Sequence, residues 1–154
     1  MSEKSFKNEL ERALNRPDID ALKSVVTVYH DWSSTDSVSR SEEWPEGLDI
    51  WFDASREDHD RALALVALAA ATYDEPKFLA VVAAGPLEEL LWRDRGASEA
   101  IVQRILDEAR RTPRFRWMLN CVWTMSARPE HAAAVAEIVG DMTDESPLPP
   151  RPWA

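Results

Sequence analysis

Three histidines are the side chains of this sequence best suited to acid–base or metal chemistry near neutral pH. They are His30, His59 and His131, and no two of them lie one helical turn apart, as the paired imidazoles of a helical zinc site do. His59 stands in the run EDHD at 57–60, but consecutive residues on a helix point in different directions, so few of them can share one metal. His30 is followed directly by Asp31, a spacing that gives no obvious pair of base and orienting carboxylate. The sequence therefore predicts neither a metal site nor histidine-centred catalysis.

The other residue types that support catalysis or cofactor binding point the same way. Cys121 is the single cysteine, so it cannot form an internal disulfide. It lies between Leu119 and Val122, where a thiol usually packs as a small hydrophobe. The four glycines lie too far apart for a phosphate-binding loop. We therefore expect no catalytic residue, no cofactor and no enzymatic activity; an enzyme or small-molecule-binding protein with a pocket in the helical core is an alternative.

Acidic and aromatic side chains concentrate between residues 42 and 60. This stretch holds eight acids against the single base Arg56, a net charge of −7. Rigid aromatics supply contact area at low entropic cost, and a dense negative field steers a basic partner. We expect a protein-binding face there, of the kind an immunity-type or adaptor protein uses. Its candidate residues are Glu42, Glu43, Trp44, Glu46, Asp49, Trp51, Phe52 and Asp53.

A second interpretation of the same stretch is structural. Trp44 and Trp51 would fold back as lids on the helical core, and the acids would only solvate a loop. The two interpretations differ in the exposure of the indole rings.

The charge of the whole chain narrows the class of partner. The 154 residues carry 18 basic and 28 acidic side chains, a formal net charge of −10. That sign disfavours direct binding to nucleic acid, whose affinity comes largely from cations that displace counterions from the phosphates. It favours a basic protein partner. The alternative of a different class is a nucleic-acid mimic, which places carboxylates in the groove of a DNA-binding protein.

Neither a membrane nor an export route is indicated. The longest apolar stretch, 62–71, has ten residues, whereas a spanning helix needs about 18–20. The first residues, MSEKSFKNEL, hold no apolar signal-peptide segment. We expect a cytoplasmic protein with no membrane partner.

Apolar residues at helical spacing predict an all-α fold, and the length suits a single domain. The helix around 62–71 is apolar nearly all round, so it should be central. The β-branched run 25–29 leaves a strand open as an alternative within the second helix. We predict helices at about 3–15, 17–32, 56–73 and 98–111, and further helices that begin at Pro76, Pro86, Pro113 and Pro129.

Turn-forming residues divide these helices. The serines, Pro45 and Gly47 predict a long acidic connecting loop over 33–55 with at most a turn of helix, and Ser55 is expected to cap the helix that follows. Gly85 is expected to close one helix in the left-handed conformation before Pro86 opens the next. Gly96 and Gly140 are expected to end helices in the same way.

The predicted domain spans 1–142 and contains about six to eight helices. Two helix starts of the type Pro-basic-Phe, at Pro76 and Pro113, lie 37 residues apart, a spacing that fits a short helical-hairpin stack. An irregular bundle is the other arrangement we consider. Residues 143–154 form a proline-rich tail that is expected to be extended and loosely packed, or to serve as a docking peptide.

Four arginines form the one basic cluster. Arg110 and Arg111 stand where they would stabilise the negative end of a helix dipole, and Arg114 and Arg116 follow at the next helix start. We expect helix capping there, or pairing with the acidic 42–60 segment within or between chains.

Two sequence blocks carry a family resemblance. Residues 83–91 read AAGPLEELL, and PRFR at 113–116 is followed by Leu119, Val122 and Trp123. The chain thereby resembles an uncharacterised family of small bacterial helical proteins, a domain of unknown function with an AAGPLE-x-LL block and a downstream P-x-F-R-x-x-L-x-x-V-W block. Related sequences often have a His-Gly pair where this chain has Arg95-Gly96. The resemblance implies a fold-defining core and no activity.

Overall fold

Most of the helical periodicity of the sequence becomes helical structure in the part of the chain that the structure describes. The computed structural model describes residues 6–34, 47–143 and 145–151. Within these ranges the α-helices are α1 (Glu9–Leu14), α2 (Ile19–Ser34), α3 (Leu48–Glu57), α4 (His59–Thr72), α5 (Pro76–Val82), α6 (Glu88–Leu91), α7 (Glu99–Arg111), α8 (Pro113–Asn120) and α9 (Pro129–Val139).

A π-helical turn, Ala83–Leu87, joins α5 to α6 without a break, so the described residues form eight separate helices. A 3₁₀ turn, Arg93–Arg95, follows α6. Between described residues the β-type pairing consists of one isolated bridge, from Trp92 to Ala127. The all-α class and the helix number are confirmed. No helix in the described ranges is long and apolar enough to cross a membrane.

The central helix is α4, as its all-round apolar pattern predicts. Every residue from Ala62 to Ala70 is buried, and α4 packs against α1, α2, α3 and α7. Its predicted start is wrong by three residues, because Asp58 is the cap: its carboxylate accepts the Arg61 N–H at 3.1 Å. Ser55 instead donates its hydroxyl to the Trp51 carbonyl at 3.2 Å within α3.

The predicted loop over 33–55 is wrong in its second half, where α3 forms. Leu48, Trp51, Ala54 and Ser55 are buried at a helical spacing. Gly47, with φ +92°, turns the chain into this helix. The serine-rich composition upstream hid the amphipathic pattern, which is short and polar on its outer face. Residues 35–46 lie outside the described residues.

Gly85 does not close a helix, contrary to expectation. Its φ is not positive, and the chain continues through the π-helical turn, in which the Glu88 N–H bonds to the Ala83 carbonyl. Pro86 has no N–H, and its ring would clash with the carbonyl four residues earlier in a regular α-helix. The wider π turn relieves that conflict, so the helix runs on past the proline.

A side-chain cap sets the start of α1. α1 begins later than predicted, at Glu9, because the Asn8 side chain accepts the Glu11 N–H at 2.8 Å. α2 is a continuous helix to Ser34, so the strand alternative over 25–29 is wrong. Gly96 has the predicted left-handed conformation, with φ +68° and ψ 24°. Gly140 has a positive φ of +59° but an extended ψ of −125°.

Candidate functional site

The predicted binding segment is built on α3, a helix with one buried and one exposed face. Trp51 is completely buried and packs edge-on against Tyr29 of α2, with ring centroids 4.9 Å apart. Phe52 is half-buried and stacks on Tyr29, with ring centroids 5.9 Å apart. Burial raises the pKa of Tyr29 to about 12, with a smaller contribution from the nearby Glu89 charge. These aromatic contacts fix the rotation of α3 about its own axis.

The exposed face of α3 carries a row of carboxylates. Asp49, Asp53 and Glu57 follow one another at four-residue spacing, and all three are exposed. Four residues of helix rise about 6 Å. Like charges at this spacing destabilise a helix by about 0.2–0.5 kcal/mol per pair. None of the three forms a salt bridge with another described residue. We call Asp49, Asp53, Glu57 and the exposed Ile50 the acidic face.

A shallow recess of about 200 Å³ borders the acidic face. It is lined by Ile50, Asp53, Ala54, Glu57, Asp58 and Arg61. Its lining combines the apolar Ile50 and Ala54 with three carboxylates and the Arg61 guanidinium. Such a recess can accommodate the aliphatic stem of a lysine or arginine while the cationic head meets the carboxylates.

Not all eight candidate residues are on this surface. Asp49 and Asp53 are exposed and Phe52 is half-buried. Trp51 has no exposed surface, so it anchors α3 to the core and does not contact a partner. Its side chain folds onto the core, as the structural interpretation of the sequence predicts. The candidates Glu42, Glu43, Trp44 and Glu46 lie outside the described residues.

Two acids of the 42–60 stretch are already neutralised by ion pairs. Arg16 bonds Asp18 at 2.9 Å and also pairs with Asp60. Arg61 contacts Asp18 at 3.2 Å and Asp58 at 3.7 Å. The hydrogen bond from Arg16 lowers the pKa of Asp18, and the same bond raises the pKa of Arg16. These pairs join the connection between α1 and α2 to the start of α4. Among the described acids of the segment, the ones without ion pairs therefore lie on α3.

The arginine cluster does not pair with described residues of the acidic segment. Arg110 pairs with Asp107 at 2.9 Å and Arg111 with Glu108 at 3.2 Å, both within the last turns of α7. Arg114 is buried, and its guanidinium bonds the carbonyls of Ala70 and Tyr73, each at 2.9 Å. Capping and structural bonding therefore account for these three arginines.

A buried ionic cluster links α1 to α7, and the sequence analysis missed it. Glu108 is fully buried and accepts the Glu9 N–H at 2.5 Å and the Thr112 hydroxyl. The carboxylate of Glu9, itself buried, is bonded by Arg104 at 2.7 Å. A signal was present, because Glu108 falls on the apolar stripe that Ile101 and Ile105 define. With every carboxylate partnered inside the protein, this cluster is structural.

His30 is held between two carboxylates. Its Nδ1 lies 3.0 Å from Asp31 and its Nε2 lies 2.6 Å from Glu75, and its ring stacks on Tyr73 at 3.9 Å. Burial opposes protonation, but the bonds to Asp31 and Glu75 outweigh it and raise the pKa of His30. His30 and Asp31 are thus in contact although they are adjacent in sequence; whether they act as a base and its orienting carboxylate stays a separate question of function. The contact with Glu75, the residue before α5, joins α2 to the start of that helix.

A groove of about 420 Å³ runs between α5 and α8. Its floor is largely apolar, and half-buried Cys121 lies at the end of α8 with its thiol 3.6 Å from the Trp117 carbonyl. The residues that line it are Pro76, Lys77, Ala80, Ala84, Trp117, Asn120, Cys121 and Thr143. In the described ranges no three His, Cys, Asp or Glu side chains are grouped to hold a metal ion.

A well-anchored loop between α8 and α9 exposes two large apolar side chains. Trp123 is 71% and Met125 80% exposed. Glu88 accepts the Trp123 N–H at 2.7 Å, and the Ser126 carbonyl accepts the Arg93 N–H at 2.9 Å. The loop is fixed at both ends, yet nothing among the described residues covers these two side chains.

The proline-rich tail is packed, not loose, in its described part. Trp117 donates its indole N–H to the Ser146 carbonyl at 2.8 Å. Arg151 forms two 2.7 Å bonds to Asp74, and Leu148 packs against the core. The expectation of a loosely packed terminus is wrong for this part, because side chains of α8 donate hydrogen bonds to main-chain carbonyls of the tail.

The fold and these surfaces define an all-helical domain with an exposed acidic helix face and a shallow groove. Residues 33–142 match the model described as Family of unknown function (DUF6869). The match covers more than half of the chain, so the chain belongs to that family. No curated protein and no solved structure matches it. The expected membership of an uncharacterised family is confirmed, and the family assigns no activity.

Proposed function

We propose that this chain is a non-enzymatic protein-binding domain that docks a basic protein on the acidic face of α3. The observation that carries the proposal is the row Asp49, Asp53 and Glu57, exposed and without cationic partners among the described residues. Several other acids of this chain are held in ion pairs, as Asp18, Asp60 and Glu9 illustrate. Exposed acids without ion pairs also occur on α9, but those of α3 follow one another at four-residue spacing on one face and border a recess.

The rigidity of α3 supports a recognition role. Trp51 and Leu48 hold its inner face in the core with no exposed surface, so the carboxylates are presented in a fixed geometry. A preorganised charged surface increases association rates with an oppositely charged partner and loses little entropy on binding. Exposed Ile50 and the adjoining recess add apolar contact area beside the charges.

The partner that fits is a protein with lysine or arginine side chains on a convex surface. Each head group would meet a carboxylate, and the methylene stem would lie against Ile50 or in the recess. A toxin domain neutralised by an immunity-type protein and a basic component of an adaptor assembly both have this chemistry. A cytoplasmic setting suits either.

Affinity capture with matched variants tests the proposal. The α3 variant bait carries Asp49→Asn, Asp53→Asn and Glu57→Gln, which remove the charges and keep the shapes of the side chains. The control bait carries Glu130→Gln, Glu137→Gln and Asp141→Asn, which remove three exposed charges on and after α9. We expect wild type and control to retain the same basic protein from a cell lysate at about 0.05 M salt and to release it at about 0.5 M. The α3 variant should retain none of it.

Two results would contradict the proposal. One is a captured protein that binds all three baits equally, because the α3 charges would then be irrelevant. The other is recovery of each bait without a stoichiometric partner at either salt concentration.

The acidic row also bears on the nucleic-acid-mimic alternative. A mimic presents carboxylates in rows, and α3 has such a row of three. The captured protein decides this question: if double-stranded DNA displaces it from the wild-type bait, the chain acts as a mimic, whereas an adaptor or immunity-type complex resists DNA.

The α5–α8 groove supports one further candidate function, the binding of a small molecule. Its volume of about 420 Å³ lies in the range of ligand pockets, which is roughly 300–1,000 Å³. Lys77 and Asn120 provide polar groups beside the apolar floor. A thermal-shift screen of small apolar carboxylates tests it: a hit that Lys77→Met abolishes supports this function, and an absence of hits contradicts it.

A further inference from the structure

The proline-rich segment after α9 lies along α8 in a regular register. Side-chain donors three residues apart on α8 meet carbonyls three residues apart on the segment, in antiparallel order. The pairs are Arg114 Nε to Pro149 O at 2.9 Å, Trp117 Nε1 to Ser146 O at 2.8 Å and Asn120 Nδ2 to Thr143 O at 3.1 Å. We call these three donors the α8 ladder.

Asp74, in the connection between α4 and α5, completes the binding surface. Its carboxylate lies between two guanidinium groups, 3.0 Å from Arg114 and 2.7 Å from Arg151. Arg151 also donates to the Thr72 carbonyl at 2.9 Å. The hydrogen bond from Arg151, assisted by Arg114, lowers the pKa of Asp74. The carboxylate therefore stays ionised and binds an arginine at one defined position of the segment.

The chemistry of the segment suits this surface. Prolines stiffen a chain in an extended form and leave its carbonyls free to accept hydrogen bonds. Recognition of proline-rich peptides commonly uses an aromatic surface together with side-chain donors to such carbonyls. Trp117 supplies the aromatic ring and the indole N–H, and buried Arg114 supplies a fixed guanidinium.

We propose that the α8 ladder and Asp74 form a receptor for the proline-rich segment that accepts it from a second copy of this chain, so that two copies exchange their tails. The occupant is the segment of the other copy that supplies the carbonyls of Thr143, Ser146 and Pro149 and the side chain of Arg151. This is the one peptide whose fit the structure displays residue by residue. The proposal does not depend on the acidic face.

The form of the contacts makes exchange feasible. The tail contributes main-chain carbonyls, the Leu148 side chain and the Arg151 ion pair, and it forms no helix or strand with its own domain in the described range. The same bonds can therefore form with either copy. A tethered tail competes at an effective concentration on the order of a millimolar, so exchange becomes prominent when copies are concentrated or the tail is released.

A complementation experiment with full-length chains tests the proposal. The tail variant carries Leu148→Asp and Arg151→Ala, which disable its tail and leave its receptor intact. The receptor variant carries Asp74→Ala and Trp117→Phe, which remove the carboxylate and the indole donor and leave its tail intact. Each variant lacks one half of the contact, so each should sediment as a monomer. We expect their mixture at about 0.3 mM to form a 1:1 complex, because the free tail can reach the vacant receptor in the other chain.

A chain with all four substitutions is the matched control. Mixed with the tail variant, it should bind at least about tenfold more weakly than the receptor variant does, because its tail is disabled as well. Helicity by circular dichroism confirms that each chain is folded. If the receptor variant loses helicity, Asp74→Ala alone replaces it, since Asp74 is exposed. A mixture of folded variants that stays monomeric overturns the proposal, and so does equal association by the control chain.

Discussion

Trp51 packs edge-on against Tyr29, with the ring centroids 4.9 Å apart and the ring planes inclined by 62°. This contact joins α3 to α2 and turns Asp49, Asp53 and Glu57 outward. An aromatic residue that resembled part of a binding surface in the sequence is thus the anchor of that surface. The acidic face depends on Trp51 for its geometry and not for direct contact.

Replacement of Trp51 separates anchoring from recognition. Trp51→Ala removes a fully buried indole and should lower the free energy of unfolding by about 3–5 kcal/mol. Asp49→Asn with Asp53→Asn should change it by less than about 0.5 kcal/mol, because both side chains are exposed. Urea denaturation followed by circular dichroism measures both. Equal stability of Trp51→Ala and wild type would contradict the anchoring role.

Glu108 should matter for stability in spite of its charge. Glu108→Ala leaves the Glu9 N–H and the Thr112 hydroxyl without their buried acceptor. We expect a loss of about 2–4 kcal/mol, the cost of buried polar groups without partners. Glu130→Ala, at an exposed position on α9, is the control and should stay within about 0.5 kcal/mol of wild type. If the two variants unfold at the same urea concentration, the buried cluster is not structural.

His30 makes stability depend on pH. The folded-state pKa is raised above the ordinary value of 6.5, so the stabilisation from protonated His30 is fully present below that value and is lost as pH rises through the folded pKa. The free energy of unfolding should therefore fall more between about pH 6 and pH 8 in wild type than in His30→Gln. An NMR titration of the imidazole supplies an independent readout. A midpoint at or below 6.5 would refute the assigned contacts.

Two glycines should respond oppositely to alanine. Gly85 is helical, and a Cβ there would meet only the Tyr29 hydroxyl at 3.8 Å, an ordinary contact. Gly85→Ala should stabilise the protein by about 0.4–1 kcal/mol, because the unfolded chain loses freedom. Gly96→Ala should destabilise it by about 1 kcal/mol, since φ is +68° there. Thermal unfolding compares the two, and a destabilising Gly85→Ala would mean that the π-helical turn requires glycine.

Local pattern predicted the helices well and the pairing of side chains poorly. The apolar runs of α4 and α7 are long and strongly periodic, so their class and burial follow from the sequence. The helix α3 was missed because its apolar residues are few and stand next to a serine-rich stretch. The π-helical turn was missed because Pro86 is tolerated inside a helix only when the neighbouring turn widens.

The candidate site was predictable in composition and not in geometry. The excess of acids over 42–60 can be counted, but the neutralisation of Asp58 and Asp60 depends on Arg16 and Arg104, which are distant in sequence. The α8 ladder likewise joins residues 23 to 35 positions apart. Single-sequence patterns report neighbours within a helix and contain little information about such distant pairs.

The most direct test of the acidic face is carboxyl footprinting of the complex eluted from the wild-type bait. Asp49, Asp53 and Glu57 should lose reactivity on binding, while Glu130 and Glu137, exposed on α9, should react as they do in the free protein. Unchanged reactivity at the three α3 carboxylates, with protection elsewhere on the surface, would contradict docking on the acidic face.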